Sequence, residues 1–276
     1  SSDLIPDYEL EWLRQDLRDI DHDTPLIIGQ HIPVWQRHTT VLDSSYANLR
    51  YEQFNSSVDL AEIVRDFKTV HLISGHTHYN YHVHPAEYPN IHENNIAAIC
   101  AIWWYSGYKT GWHNCRDGVP GGYEMFHING KDISYKYHSI EHNGNAQFHV
   151  LDINTVKKYY QDNMAGFLTK YPAFTDFGTW DDNQLLINVF SYDRDWQFEI
   201  VENGELLTPQ RLYIEDPYHM LTYDIPWHNG GSTLGGDSRA TKNTHMFKVQ
   251  CNTSTAPVTV RITDSFGTTY EQLVLR

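Results

Sequence analysis

Two closely spaced histidines follow an apolar run in this chain and form its clearest chemical signal. Val70–Ser74 leads directly into Gly75-His76-Thr77-His78, and a second apolar run, Leu26–Gln30, leads into His31. An isolated histidine is more often structural or solvated than a ligand. Imidazole is nevertheless a common neutral ligand for zinc, iron and manganese, and binding through it requires no buried charge. Three histidines at the ends of two predicted strands therefore predict a hydrolytic metal centre.

Two predicted helices alternate with the strands that carry these histidines. Residues 6–20 and 57–67 each show apolar side chains at helical spacing, and each stretch precedes one of the two strands. Helix–strand–helix–strand alternation is typical of a layered α/β domain. In such domains, ligands bind at the carboxyl ends of the strands. The pattern therefore predicts that the three histidines meet at one edge of a sheet.

The rest of the chain has the rhythm of short strands. Residues 96–102 form a buried-type apolar run, and Asn129-Gly130 lies between two apolar stretches as a hairpin turn. Later strands with regular turns predict a β-sandwich. We therefore expect an α/β domain over residues 1–150 and an all-β sandwich over 151–276, with a short helix or a loop at 152–162. The later predicted strands are Gln184–Ser191, Trp196–Val201, Leu206–Ile214, His245–Cys251, Val258–Thr263 and Tyr270–Leu275.

Charge and composition exclude several classes of partner. The 276 residues carry a formal net charge of -15, which disfavours a nucleic-acid partner because such a partner needs a basic face. A phosphorylated small molecule remains compatible, since bound divalent cations supply positive charge locally. No apolar run approaches the roughly 18 residues of a membrane span. The first residues lack an initiator Met and a signal-peptide pattern, so we expect a processed or trimmed chain.

Three cysteines limit the redox and zinc chemistry of the chain. Without a C-x-x-C pair, a thiolate zinc cluster is disfavoured. Cys100 and Cys115 could form a bridge, but buried free thiols, Cys251 included, are the favoured interpretation.

The histidine motifs resemble those of calcineurin-like metallophosphoesterases. That family carries a strand ending in His-x-Pro, as at His31-Ile32-Pro33, and a later G-H-x-H, as at residues 75–78. Trp103-Trp104, the loop at 115–123 and the segment at 262–270 are similar to one branch that has a C-terminal β-sandwich, and Trp12-Leu13 fits the same branch. The resemblance covers nearly the whole chain. It implies part of the metallophosphoesterase αββα sandwich, followed by the β-sandwich domain.

The resemblance implies hydrolysis of a phosphate mono- or diester at a dinuclear centre. His31 and His76 correspond to ligands of one metal and His78 to a ligand of the other. Two divalent transition metals (Zn, Mn or Fe) about 3.5–4 Å apart clamp the phosphoryl oxygens and generate a hydroxide nucleophile. Many members of this branch are exported, which favours an extracytoplasmic location for the protein.

One departure from the family pattern changes what we expect of this chain. The family's D-x-H, G-D-x-x-D and G-N-H-D/E motifs, which supply the carboxylate ligands and the general acid, do not occur; Gly236-Asp237 continues as Ser-Arg-Ala. We therefore expect the C-terminal portion of a phosphoesterase, with weak or no metal binding, no catalytic residue and little activity alone. An incomplete sheet should also expose an edge, which favours self-association.

Other residues have both a functional and a structural interpretation. His113, Arg116 and Asp117 are candidate substrate-binding residues near a glycine-rich loop, although an ordinary structural loop explains them equally well. His82 and His84 fit one face of an exposed strand better than a ligand set. An alternative function of a different class is a non-catalytic module that binds a glycan or a protein and retains a vestigial metal site.

Overall fold

A computed structural model describes residues 5–41, 49–53, 57–107, 111, 113–140 and 144–276. The chain forms two compact units that interleave along the sequence. Unit 1 comprises Ser1–Ile96 with Phe126–Tyr135, and unit 2 comprises Ala97–Met125 with Lys136–Arg276. The proposed domain boundary near residue 150 remains a prediction.

Unit 1 contains a four-stranded sheet with two helices. The strand order is β1-β4-β6-β5; β1, β4 and β6 run parallel, and β5 is antiparallel to β6. A separate two-stranded ribbon, β2–β3, follows the first strand of the sheet. The elements are α1 Asp7–Leu17, β1 Leu26–Gly29, β2 Trp35–Val41, β3 Leu49–Gln53, α2 Ser57–Val64, β4 Val70–Ser74, β5 Tyr81–Val83 and β6 Ile91–Asn95.

The core of unit 1 joins both helices to alternate residues of the strands. Val70 and Leu72 of β4 and Ile91 of β6 are buried together with Leu10 of α1 and Leu60 of α2. Because strand side chains alternate between faces, the residues between them lie on the opposite face of the sheet. The predicted layered α/β arrangement is confirmed.

The first strand lies at the end of this sheet. Among the described residues β1 pairs only with β4, and Ile27 within β1 keeps 38% of its surface exposed. This end position fits the expected open edge, while self-association through it remains a prediction.

The strand predicted at residues 96–102 is wrong. That stretch forms turns, and the neighbouring strand is β6, Ile91–Asn95. Apolar residues of this run pack from turns and not from a strand, since Ile102 belongs to a core of unit 2. Ala101 has a left-handed φ of 48°, which strand geometry does not allow. Glu93, Asn94 and Asn95 gave β6 a polar sequence, yet all three are buried.

Unit 2 contains a β-sandwich of two four-stranded antiparallel sheets, in the orders β13-β14-β10-β9 and β12-β11-β15-β16. A two-stranded hairpin precedes the sandwich along the chain and turns at Asn129-Gly130 as predicted, and residues Phe126–Tyr135 of this hairpin belong to unit 1. The strands are β7 Gly122–Asn129, β8 Asp132–Ser139, β9 Phe148–Asp152, β10 Gln184–Val189, β11 Gln197–Glu202, β12 Glu205–Leu207, β13 Gln210–Ile214, β14 Asn243–Gln250, β15 Val258–Thr263 and β16 Thr269–Val274.

Helical segments form a further layer on one of these sheets. The Asp152 side chain caps α3, Ile153–Asn163, by accepting the Asn154 N–H at 2.8 Å, so the uncertain segment after the predicted boundary is a full helix. The other helical segments are α4 Phe167–Lys170, a 3₁₀ turn Phe177–Thr179, α5 Pro217–His219, a π-helical turn Met220–Asp224 and α6 Ile225–Asn229.

Strand β10 lies between the two cores of unit 2. Leu185, Ile187 and Val189 pack between the two sheets, whereas Leu186 packs with the helical layer. A strand covered on both faces has no solvent face, and all six residues of β10 are buried. The predicted all-β sandwich is therefore confirmed, with a helical layer that the strand pattern did not predict.

The cysteines agree with a further expectation. All three cysteines are free thiols, and Cys115 and Cys251 are buried. Within the described ranges, none of the helices combines the length and the apolar character needed to cross a membrane.

Ile187→Ala should lower the free energy of unfolding by about 3 kcal/mol, because truncation of a fully buried side chain loses transfer energy and leaves a cavity. The matched control Leu206→Ala, at a position that is 73% exposed, should change it by less than about 0.5 kcal/mol. Denaturant unfolding measures both, and equal effects would contradict the described sandwich core.

Candidate metal centre

The parallel pairing of β1 with β4 brings the two histidine-bearing loops together. Leu26 pairs with Val70 and Gly29 with Ile73, so both strands end at the same edge of the sheet. Beyond the strands, the Gln30 N–H donates to the Ile73 carbonyl at 2.9 Å, and the Gly75 N–H donates to the His31 carbonyl at 3.1 Å. The two loops are therefore hydrogen-bonded to each other through their backbones.

Two of the three predicted metal ligands are in direct contact. His76 Nδ1 lies 3.0 Å from His31 Nε2, and the ring planes are inclined at 76°. Both residues are exposed. Two imidazole nitrogens that bind one zinc at 2.0–2.1 Å in tetrahedral geometry lie about 3.3 Å apart. The pair thus fits a single cation with little movement, and an N–H···N hydrogen bond satisfies the same contact without one.

The third predicted ligand stands apart from this pair. Within the described part of the chain, no third His, Cys, Asp or Glu side chain completes a cluster with His31 and His76 in which all ligand atoms lie within 4.8 Å of one another. His78 is half-buried, two residues beyond His76. The separation is compatible with His78 binding a different cation. That role remains a prediction.

The backbone of the G-H-x-H turn adopts an uncommon conformation. His76 has φ 67° and His78 has φ 59°, so two non-glycine residues lie in the left-handed region on either side of Thr77. The Thr77 N–H donates to the Gly75 carbonyl at 2.7 Å and closes the turn. Left-handed non-glycine residues cost free energy and cluster at functional sites, so this turn is held by its surroundings.

Asn95 at the end of β6 holds this turn. Its Nδ2 donates to the Tyr79 carbonyl at 2.7 Å and to Thr77 Oγ1 at 2.6 Å. Asn95 is buried, and the Ser74 hydroxyl lies 3.5 Å from its Oδ1. A single buried amide therefore links the end of β4 to both sides of the turn that carries His78.

Glu93, two residues earlier on β6, holds the other histidine loop. Its Oε1 accepts the Val34 N–H at 2.8 Å, and its Oε2 accepts the Trp35 N–H at 2.8 Å. Gln30 Nε2 donates to Oε1 at 3.2 Å. Glu93 is fully buried, and burial raises its pKa to about 7 despite these hydrogen bonds. The carboxyl group thus fastens the backbone after His31 and the Gln30 side chain before it.

Sequence reasoning missed both of these supporting residues. They lie in Glu93-Asn94-Asn95, a polar run directly before the apolar stretch for which the sequence predicts a strand. No sequence signal separates this run from a loop, because a cluster of polar residues between apolar ones is typical of loops. Because buried polar groups must be hydrogen-bonded, such a run on a central strand indicates anchored loops.

His113, a predicted substrate-binding residue, is held beside exposed aromatic side chains of unit 2. Its Nδ1 lies 3.1 Å from the donating Gly107 N–H, and the Trp104 ring meets it edge-on at 5.1 Å. A Cβ at Gly107 would lie 2.3 Å from the His113 ring, so only glycine allows this approach. His113 is half-buried and accessible.

Arg116 and Asp117 have structural contacts in the same unit. The Arg116 guanidinium donates to the carbonyls of Arg239 at 3.2 Å and Gly236 at 3.1 Å. Asp117 is fully buried, and its Oδ2 lies 3.2 Å from His245 Nε2. Direct contact of Asp117 with a substrate would require movement of its loop. Substrate binding by His113, Arg116 and Asp117 remains a prediction.

A buried polar network links the Asp117 loop to the sandwich. Asn188 of β10 donates to the Asp117 carbonyl at 2.7 Å and to the Asp216 carboxylate, and its Oδ1 lies 2.8 Å from His245 Nδ1. His149 Nε2 lies 2.7 Å from Asp216 Oδ2. Burial opposes the ionisation of Asp216, but His149 and Asn188 outweigh it and hold the pKa of that carboxyl below its usual value. The network therefore fixes the loop that carries Arg116 and Asp117.

A comparison with protein families identifies the larger part of the chain. The model of the C terminal of calcineurin-like phosphoesterase matches residues 93–270. The chain belongs to this calcineurin-like phosphoesterase family. The matched range begins at Glu93 and includes Asn95 and all three candidate substrate-binding residues, whereas His31, His76 and His78 precede it. A comparison with curated proteins gives no match.

Glu93→Gln in this phosphoesterase-family chain should remove a specific dependence of stability on pH. Because the pKa is raised from 4.5 to about 7 by folding, the folded state keeps a proton that the unfolded state releases. The contribution of Glu93 to the free energy of unfolding should therefore fall by about 3 kcal/mol as pH rises from 4.5 to 7. Outside that pH range this contribution should stay constant.

The measurement is urea unfolding of the wild type and Glu93→Gln at several pH values between 4 and 8. The difference between their pH profiles isolates the contribution of Glu93. The exposed-site variant Glu87→Gln should retain the wild-type profile. The same slope in all three proteins would show that Glu93 is ionised in the folded state.

Asn95→Ala should loosen the turn that presents His76 and His78. The variant loses two hydrogen bonds donated by a buried side chain, which should cost about 2 kcal/mol in the free energy of unfolding. Hydrogen exchange should become faster at the amides of residues 75–79 and stay unchanged in β15. Asn145→Ala, at an exposed position, is the control; unchanged exchange at 75–79 in Asn95→Ala would contradict the anchoring role.

Proposed function

We propose that this chain supplies the histidine ligands of a dinuclear phosphoesterase centre and has little or no hydrolytic activity by itself. The observation that carries the proposal is the contact between His31 and His76 at the ends of two parallel strands. Membership of the calcineurin-like phosphoesterase family supports the reaction class. The proposed reaction is hydrolysis of a phosphate mono- or diester of a small molecule.

The division of roles follows the positions of the three histidines. His31 and His76 bind one cation, and His78 binds the other from its left-handed turn. The cations, when bound, supply Lewis acidity and a hydroxide nucleophile. Glu93 and Asn95 hold the two loops at fixed positions, so the chain loses little entropy when its imidazoles become ligands.

Low activity of the chain alone follows from the absence of the family's carboxylate-bearing metal-binding motifs. None of the D-x-H, G-D-x-x-D and G-N-H-D/E motifs occurs in its 276 residues. Neutral imidazoles do not offset the repulsion between two divalent cations, whereas a bridging carboxylate does. In the proposal, the longer parent protein supplies these motifs, and two zinc, manganese or iron ions bind there.

A metal-dependent assay tests this proposal in both the chain and its longer parent. With Mn²⁺, Zn²⁺ or Fe²⁺ and an aryl phosphate mono- or diester, the chain should hydrolyse at a rate close to background. The parent should bind two metal equivalents and should lose metal and activity in His76→Ala and His78→Ala. His127→Ala, at an exposed position on β7, is the matched control and should change neither.

Two outcomes would overturn the proposal. Hydrolysis by the isolated chain at the rate of an ordinary metalloenzyme would contradict its dependence on the missing motifs. Full metal content in the parent after substitution of His76 and His78 would contradict their role as ligands.

A surface of exposed aromatic side chains in unit 2 favours a second candidate function, a non-catalytic binding module. Trp103, Trp104 and Tyr105 are all about half exposed, and both tryptophans have left-handed φ values of 52° and 66°. Large aromatic side chains held on a surface are typical of glycan and protein contacts. A parent that lacks the carboxylate motifs, together with glycan or protein binding lost in Trp103→Ala, would favour this function over hydrolysis.

A further inference from the structure

Four histidines of unit 1 lie together on the face of the sheet opposite its helices. His71 of β4 pairs directly with His92 of β6, and His82 of β5 pairs with Asn94, the next residue of β6 on that face. The ring of His84, which follows β5, stacks on the His92 ring with a centroid separation of 4.0 Å. The strand register therefore places these side chains next to one another, and none of them belongs to the centre proposed above.

His82 does not lie on the exposed strand face that the sequence predicts for it and His84. All three residues of β5 are buried, and His71 and His82 each keep only 8% of their surface exposed. The Tyr135 ring stacks over the His82 ring at 5.6 Å. Burial of so many polar rings requires that their nitrogens find partners.

The closest contact in this group has the spacing of a metal-binding pair. His82 Nδ1 lies 3.0 Å from His92 Nε2, the same separation as that between His31 and His76. Two nitrogens on one tetrahedral zinc lie about 3.3 Å apart. His92 and His84 are half-buried, so the group keeps some solvent access.

A second observation concerns a buried ring nitrogen of His71 on this face. His71 Nδ1 is buried and has no hydrogen-bond partner. Its ring centroid lies 5.4 Å from that of His92, on the neighbouring strand. Burial, and to a smaller extent His84, lower the pKa of His71.

We propose that His82 and His92, with the His71 ring beside them, form a separate site for a single transition-metal ion of the zinc class. Imidazole nitrogens suit zinc, cobalt, nickel and copper, whereas magnesium and calcium prefer oxygen ligands. One ion on neutral ligands raises no problem of cation–cation repulsion, so this site does not depend on the missing carboxylate motifs. The competing explanation is an N–H···N hydrogen bond between His82 and His92 without an ion.

Cobalt titration of the full 276-residue chain separates these explanations. The background is the triple variant His31→Ala/His76→Ala/His78→Ala, which lacks the proposed phosphoesterase ligands. This variant should bind one equivalent of Co²⁺ and develop visible absorption bands. Addition of His82→Ala and His92→Ala should weaken Co²⁺ binding by at least about 100-fold, and His71→Ala should weaken it by about 10-fold. His127→Ala is the matched control and should leave the titration unchanged.

A measurement without substitutions at the site guards against misfolded variants. Long-range ¹H–¹⁵N spectra of the imidazoles in the triple variant should show shifts of His82 Nδ1 and His92 Nε2 when Zn²⁺ is added, while His127 stays unchanged. No cobalt bound by the triple variant, or equal binding after the His82 and His92 substitutions, would overturn the proposal. Imidazole shifts confined to other histidines would do so as well. The background lacks the ligands of the other centre, so these outcomes are independent of the proposed hydrolytic function.

Discussion

The hydrogen bonds from one strand to two loops are the constraint on which the proposed centre depends. Glu93 and Asn95 lie two residues apart on β6 and therefore point to the same face of the sheet. Glu93 fastens the backbone beyond His31, and Asn95 fastens the turn that carries His76 and His78. Parallel strands bring the loops to a common edge, but the buried carboxyl and amide groups fix where the imidazoles stand.

The cost of this arrangement is visible in the same residues. A buried carboxyl with a raised pKa and two left-handed histidines each lower stability relative to an apolar strand and a relaxed turn. Such costs persist where a structure positions groups for a ligand. These costs support the proposal that His31 and His76 bind a metal.

Sequence patterns predicted the elements that follow simple periodicity. The helix α1, the strand β4, the hairpin at Asn129-Gly130 and the strand β15 lie where apolar spacing and turn residues placed them. The pattern failed at β6, because Glu93, Asn94 and Asn95 are buried for their hydrogen bonds and not for their hydrophobicity. Likewise, His82 looked like a residue of an exposed strand, since burial of a polar side chain depends on partners distant in the chain. Of the candidate site, the contact between His31 and His76 was predictable from motifs, whereas its supporting residues were not.

In the proposed centre, His31 and His76 bind one metal of a pair and His78 binds the other. The decisive measurement is anomalous scattering from Mn²⁺-loaded crystals of a protein that joins this chain to the missing carboxylate motifs. The expected result is two peaks about 3.5–4 Å apart, one in contact with the first two imidazoles and the other with His78. Manganese peaks that contact none of these three histidines would contradict it.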